Sequence, residues 1–157
     1  MRELFIDCST GLAGDMLCAA LLELFDSPGE MLEKLNSLGI PDVRFSAESV
    51  KKHSVAGTHL KVEYKGTEEE QGEKPVHCHN SLTDINKIID GLNMSEKLKT
   101  DVKAVYDIVA KAEAKVHGCE MEHIHFHELG SMDAVADISA ACFMLDALGV
   151  QHVSASP

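Results

Sequence analysis

Val43-Arg44-Phe45-Ser46-Ala47-Glu48-Ser49-Val50 and, after a short gap, His59-Leu60-Lys61-Val62-Glu63-Tyr64 decide the class of this fold. In both stretches apolar and polar residues alternate, the period of a half-buried strand. Ala56-Gly57-Thr58 lies between them, so the two strands are expected to pair as an antiparallel hairpin connected there. Elsewhere strand-like and helix-like segments interleave, the order that favours parallel pairing. Together these signals predict an α/β chain: a mixed sheet of about four strands with about five packed helices, or alternatively an α+β two-layer arrangement.

Upstream, Leu4-Phe5-Ile6 is a short apolar run expected to form a buried strand. A glycine-bearing turn, Ser9 to Gly14, leads into a helix of roughly Asp15 to Phe25, apolar nearly all round and so expected to be well buried. Ser27-Pro28 opens a second helix that Gly39 stops. Downstream, Ser81 to Leu92, Ser95 to His117 and Ser131 to Leu148 are predicted helices, each with a serine at its start. Gly118 and Gly149 end the last two. Residues 65–80, with three consecutive Glu and then His77 and His79, are expected to be a mobile acidic and histidine-bearing loop.

The chain carries 14 basic against 26 acidic residues, a net charge of −12 that repels phosphate backbones and argues against nucleic acid as a partner. No apolar stretch approaches the ~20 residues that span a bilayer. The five cysteines, 8, 18, 78, 119 and 142, form no Cys-x-x-Cys, and no signal-peptide pattern precedes Phe5. A cytoplasmic location with reduced thiols is therefore expected. The length suits one domain over 1–157. Val150 to Pro157 looks like a strand entering a loop with no closing element, so that domain is expected to be the N-terminal region of a longer protein.

Four constellations carry chemistry. In His123-Ile124-His125-Phe126-His127-Glu128 three imidazoles recur at every second residue. An extended backbone puts them on one face, about 6–7 Å apart, beside a carboxylate, which is the donor set of a borderline divalent cation. Asp133 and Asp137 follow at helical spacing, and Asp137 stands among apolar residues, where an acid needs a partner. Asp7-Cys8-Ser9-Thr10-Gly11-Leu12-Ala13-Gly14-Asp15 is a strand end, a glycine turn and a helix start, a common ligand-binding place in α/β proteins. It has no Gly-Lys-Ser/Thr and so is no P-loop. His77-Cys78-His79 is a short histidine tract, and His117, in the last turn of its helix, suits the helix dipole better than a metal.

These segments, in this order, resemble the LarC family of nickel-insertion proteins. The matching residues are Asp7 to Met16, His77-Cys78-His79 with Asp84-Ile85, Ala112 to Gly118, and His125 to Gly130 with Asp133 and Val135 to Ile138. The resemblance spans essentially the whole chain but only the N-terminal part of the family's usual length. It departs at Asn80, where the family usually has an Arg after a richer histidine tract. It implies a nickel chelatase of the lyase class, which inserts Ni²⁺ into pyridinium-3,5-bisthiocarboxylic acid mononucleotide through nickel–sulfur and nickel–carbon bonds. The product is the nickel-pincer cofactor of lactate racemase-type enzymes. The resemblance further implies consumption of CTP with Mg²⁺ or Mn²⁺, at a nucleotide site in the family's C-terminal region, outside this chain. Implied partners are the anionic mononucleotide, that C-terminal part, a lactate racemase-type apoenzyme as recipient and, as an open option, a second copy of the chain.

Insertion requires a metal held loosely, by imidazole and carboxylate rather than a thiolate cage. His125, His127 and Glu128 are the candidate ligands or bases, with Asp137 the further catalytic carboxylate. Asp7 and Asp15 are candidate second-metal or orienting carboxylates, and His77 and His79 further ligands. Ser9, Thr10, Gly11 and Gly14 form the turn that would receive the substrate phosphate at a helix N-terminus. Two rivals stand beside this expectation. A metal-dependent hydrolase or phosphotransferase would show phosphatase or amidase activity. A nickel metallochaperone would bind nickel with no response to CTP or precursor.

Overall fold

The computed structural model describes residues 2–68, 80–121, 126 and 130–156. Its elements run β1 (Glu3–Ile6), α1 (Gly14–Leu22), α2 (Pro28–Asn36), β2 (Val43–Lys52), β3 (Val55–Tyr64), β4 (Thr67–Glu68), α3 (Leu82–Gly91), α4 (Glu96–His117), α5 (Met132–Ala147) and β5 (His152–Ala155). The five helices and the mixture of parallel and antiparallel pairing agree with the sequence. The mixture is divided between two sheets: β1 pairs with β5 in parallel, and β2-β3-β4 is antiparallel.

Local signals set the helix ends. The hydroxyls of Ser81, Ser95 and Ser131 accept from the backbone amides three residues on, at 3.2, 3.3 and 3.1 Å. Each satisfies one of the orphan donors at a helix start, worth about 1 kcal/mol. At Ser81 the Asp84 carboxylate reaches back to complete a capping box. Gly118 closes α4 at φ +64, a left-handed conformation that glycine adopts without cost. Along α4, Leu98, Val102, Tyr106 and Ala110 are buried, every fourth residue, so one narrow stripe faces inward.

The hairpin pairs Val43 with Tyr64 through to Lys52 with Val55. Its connection is therefore not Ala56-Gly57-Thr58 but the two residues His53 and Ser54, at φ +50 and +69. Two consecutive positive φ values are what a two-residue turn needs to match strand twist. The glycine that suggested a turn, Gly57, sits inside β3 opposite Val50. Asn36, at the end of α2, holds the other end of β2: its amide donates to the Phe45 carbonyl at 2.9 Å, and its oxygen accepts from the Phe45 amide at 2.8 Å.

α1 packs on α5 and on β3, and α4 packs on α3 and α5. The core gathers Leu21 and Leu22 of α1, Phe45 and Leu60 of the hairpin, and Val102, Tyr106, Val135 and Met144 of the long helices. Each fully buried aliphatic side chain contributes about 1.5–3 kcal/mol. β1 departs from the buried strand expected: Phe5 is 65% exposed. A two-stranded sheet has two faces, and on the other face Leu4 packs against the core. α1 is likewise buried on one side only, through Cys18, Ala19, Leu21 and Leu22, with Met16 exposed. Among the described residues no helix is long and apolar enough to cross a membrane.

Candidate functional site

The carboxyl ends of β1 and β5 lie side by side, because the parallel register runs from Glu3–His152 to Ile6–Ala155. The Ser156 amide extends the ladder by donating to the Ile6 carbonyl at 2.9 Å. Beyond the ladder, Asp7 Oδ1 accepts from the Ser9 amide at 2.9 Å and from the Ser156 hydroxyl at 3.4 Å. The same hydroxyl accepts from the Cys8 amide at 2.8 Å. Asp7 thus ties the exits of both strands. The Ser9 backbone bond, then the Ser9 side chain, hold its carboxyl below the ordinary carboxylate range. Ser9, Thr10 and Gly11 are exposed. Gly11 turns the chain at φ +87, with its amide donating to the Cys8 carbonyl at 3.0 Å.

This turn delivers Gly14 as the first residue of α1, behind an Ala13 N-cap that has no side-chain oxygen to offer. A different residue meets the helix start. An ideal Cβ on Gly14 would strike the Asp137 side chain, with Cγ at 2.8 Å and Cβ at 2.9 Å. The missing Cβ of Gly14 therefore makes room for a carboxylate from α5. A negative charge at a helix N-terminus is favourable, so tertiary packing supplies what Ala13 does not. One turn further along α1, the Cys18 thiol donates to the Asp137 carbonyl at 3.4 Å. Burial, then the charges of Asp137 and Asp15, push that thiol far above its usual range, so Cys18 is an inert core residue. Cys142 is raised to about 11, mainly by burial.

Tyr106 of α4 is fully buried, and its hydroxyl is pushed up first by burial and then by the Asp137 charge. The Tyr106 ring stands edge-on to Phe126, with centroids 5.9 Å apart at 63°. Phe126 is 2% exposed. In sequence it is the residue between His125 and His127.

A second glycine marks the next contact. A Cβ on Gly130 would meet the Phe126 carbonyl oxygen at 3.0 Å and the Asn80 amide nitrogen at 3.3 Å. The Asn80 side chain donates to the Gly130 carbonyl at 2.8 Å. Asn80 directly follows the His77–His79 tract, and Phe126 and Gly130 bracket His127 and Glu128. His77, His79, His125, His127 and Glu128 themselves, and most of the 65–80 segment, lie outside the described residues.

The described candidates divide into two places. Asp7, Ser9, Thr10 and Gly11 form the exposed turn over the parallel strands. Gly14 and Asp137 form the junction of α1 with α5, with Asp15 half-buried in the first turn of α1. Among the described residues no three His, Cys, Asp or Glu side chains gather as a metal-holding group. His117 Nε2 lies 3.1 Å from Glu113 Oε2, one turn back on α4, in keeping with a helix-end role. Sequence reasoning missed Tyr106 and the Asn80–Gly130 bond. The signal for Tyr106 was its position as the one hydroxyl on the stripe Leu98, Val102, Ala110. No local pattern announces the Asn80 bond, which joins residues 50 apart.

The family model described as nickel insertion protein matches residues 4–157. A Geotalea daltonii protein named for nickel insertion is 37% identical over 159 residues, covering 100% of this chain and 38% of its own length. The pyridinium-3,5-bisthiocarboxylic acid mononucleotide nickel insertion protein of Staphylococcus epidermidis is 32% identical, over 99% of this chain and 37% of its own length. Its namesake from Acetivibrio thermocellus is 35% identical, over 100% of this chain and 39% of its own length. The chain thus spans about two-fifths of the length of the curated relatives it matches. No solved structure matches it.

Proposed function

The chain belongs to the nickel insertion protein family, and from that premise we propose that it forms the N-terminal, metal-handling region of a protein that inserts Ni²⁺ into pyridinium-3,5-bisthiocarboxylic acid mononucleotide. The names of the Staphylococcus and Acetivibrio relatives support the substrate. One structural observation carries the metal-handling part. The neighbours of both histidine tracts, Asn80 on one side and Phe126 with Gly130 on the other, meet at a single junction. Phe126 in turn stands edge-on to Tyr106, and Asp137 meets the start of α1 at Gly14.

In this reading His125, His127 and Glu128 hold Ni²⁺, with His77 and His79 as further ligands. Imidazole and carboxylate bind a borderline cation firmly enough to capture it and loosely enough to let it leave. Glu128 or a histidine takes the ring proton as the nickel–carbon bond forms, so that one proton leaves as one metal–carbon bond is made. Asp137 orients the metal site, and Asp15 adds negative charge in the first turn of α1. Asp7, whose carboxyl the Ser9 amide holds below the ordinary carboxylate range, organises the turn of Ser9, Thr10, Gly11 and Gly14 at which the substrate phosphate is received. CTP with Mg²⁺ or Mn²⁺ acts in the further length that the relatives carry. The finished cofactor passes to a lactate racemase-type apoenzyme. The protein works in the cytoplasm, where thiols stay reduced.

Calorimetric titration with Ni²⁺ tests the site. Wild type should bind, and a His125→Ala/His127→Ala variant should lose at least tenfold in affinity while keeping its helical circular dichroism. Equal affinity in the two proteins would falsify the assignment of the histidine ladder. Adding precursor and CTP, with and without the remaining length of a relative, then tests whether insertion needs both parts.

A further inference from the structure

Parallel sheets occur with both faces covered, and a lone pair of strands is marginal in water. The β1–β5 pair is parallel, and among the described residues no third strand joins it. Its open side is β5: all four residues from His152 to Ala155 are exposed, whereas Leu4 and Ile6 of β1 are half-buried. Register neighbours share a face, so Val153 points to the same side as Leu4. Leu4 packs on the core, yet Val153 stays 44% exposed, and on the opposite face Phe5 is open to solvent. Beside the amino ends of the two strands lies an apolar groove of about 470 Å³, lined by Leu4, Leu24, Phe25, Leu148 and Val150.

The sequence distinguishes this edge from the other one. β2 is the outer strand of the antiparallel sheet. It carries Arg44, Glu48, Lys51 and Lys52, the kind of charges that keep a free edge from pairing. His152-Val153-Ser154-Ala155 has no Lys, Arg, Asp, Glu or Pro. One edge is guarded and the other is ready to be paired. The family match runs through residue 157, just past β5, and the shared part is about two-fifths of the relatives' length.

We propose that the β5 edge and its adjoining groove are the docking surface for the remaining three-fifths of the family's proteins. An extended segment of that region pairs with β5 in parallel, the geometry that a strand–helix–strand crossover produces. Its apolar side chains cover Val153 and Phe5 and fill the groove. This rests on the reading above in which the relatives' further length works together with this region, and on nothing about the histidines. A second copy of the chain fits less well. Two copies meeting about a twofold axis would pair β5 antiparallel to itself over only four residues, too short a ladder to hold two chains.

Hydrogen exchange tests the surface, comparing this chain alone with a chimera in which it is followed by the remaining length of the Acetivibrio thermocellus relative. The amides of residues 152–155 that face away from β1 should exchange about tenfold more slowly, or slower still, in the chimera. Leu60, inside the hairpin, should be unchanged. Val153→Lys should abolish the protection in the chimera. In the chain alone it should leave the melting temperature within about 2 °C of wild type, since a partly exposed side chain is replaced. In sedimentation the chain alone should run as a monomer. Equal exchange in chain and chimera overturns the docking surface. A dimer of the chain that Val153→Lys dissolves overturns it too, by making a second copy the occupant. Either failure leaves calorimetric Ni²⁺ binding by the chain untouched, and loss of the histidine site leaves the exchange pattern untouched, so the two readings fail separately.

Discussion

The side chain of Asp137 fills the space in which a side chain at Gly14 would begin, so a carboxylate from the last long helix stands at the start of the first. Residues 123 positions apart are thereby committed to each other: one must lack a Cβ so that the other can be an acid. The same contact explains why α1 tolerates an Ala N-cap.

Gly14→Ala should therefore destabilise the protein through overpacking, by about 1–3 kcal/mol, although alanine favours helix elsewhere. Thermal or urea unfolding checks this. Asp137→Ala should relieve much of the clash, so the double variant should be less destabilised than the sum of the single ones. Strict additivity would mean that the two side chains do not compete for this space.

Asp7 offers a pH signature. Its folded carboxyl lies below its ordinary value of 3.8, chiefly through the Ser9 amide. A depressed carboxyl contributes stability that is fully present above the unfolded pKa and lost as pH falls through the folded one. The melting temperature of wild type should exceed that of Asp7→Asn above pH 3.8, and the gap should close as pH drops below it. Carbon NMR of the carboxyl should show the depressed midpoint directly, and Ser156→Ala should move it upward.

Asn36 clamps α2 to β2 through two bonds to one residue, Phe45. Asn36→Ala removes both and should cost about 1–3 kcal/mol, since two ladder-end groups lose their partners. Hydrogen exchange at the Phe45 amide should accelerate more than exchange at Leu60, which lies deeper in the hairpin. Similar acceleration at both would indicate a general loosening in place of a local clamp.

The turn at His53 and Ser54 places two non-glycine residues at positive φ. Replacing them with Asn-Gly, the pair best suited to such a turn, should stabilise the hairpin by about 1 kcal/mol without shifting its register. Cross-strand nuclear Overhauser contacts between Lys52 and Val55 should persist, and the denaturant midpoint should rise.

Much of the architecture was readable because its causes are local. Serines at 81, 95 and 131 announce helix starts, since an N-cap bond spans only three residues. Alternation in 43–50 and 59–64 announces two strands, since the pleat has period two. The turn between them was misplaced because Gly57 is the strongest local breaker in the region, while the register that puts the turn at His53 and Ser54 is set by the whole length of both strands. The exposure of Phe5 was equally hidden: an apolar run encodes a strand but not how many of its faces are covered.

The same division runs through the candidate site. The sequence alone determined which residue types could bind a metal and the family to which their order points, because spacing and side-chain chemistry are properties of the chain itself. Only the tertiary structure decided that Asp137 meets Gly14, that the Tyr106 ring is enclosed edge-on to Phe126, and that Asn80 bonds Gly130 across 50 residues. Those contacts depend on how α1, α4 and α5 pack, and packing is a collective outcome of the buried core that no single stretch of sequence encodes.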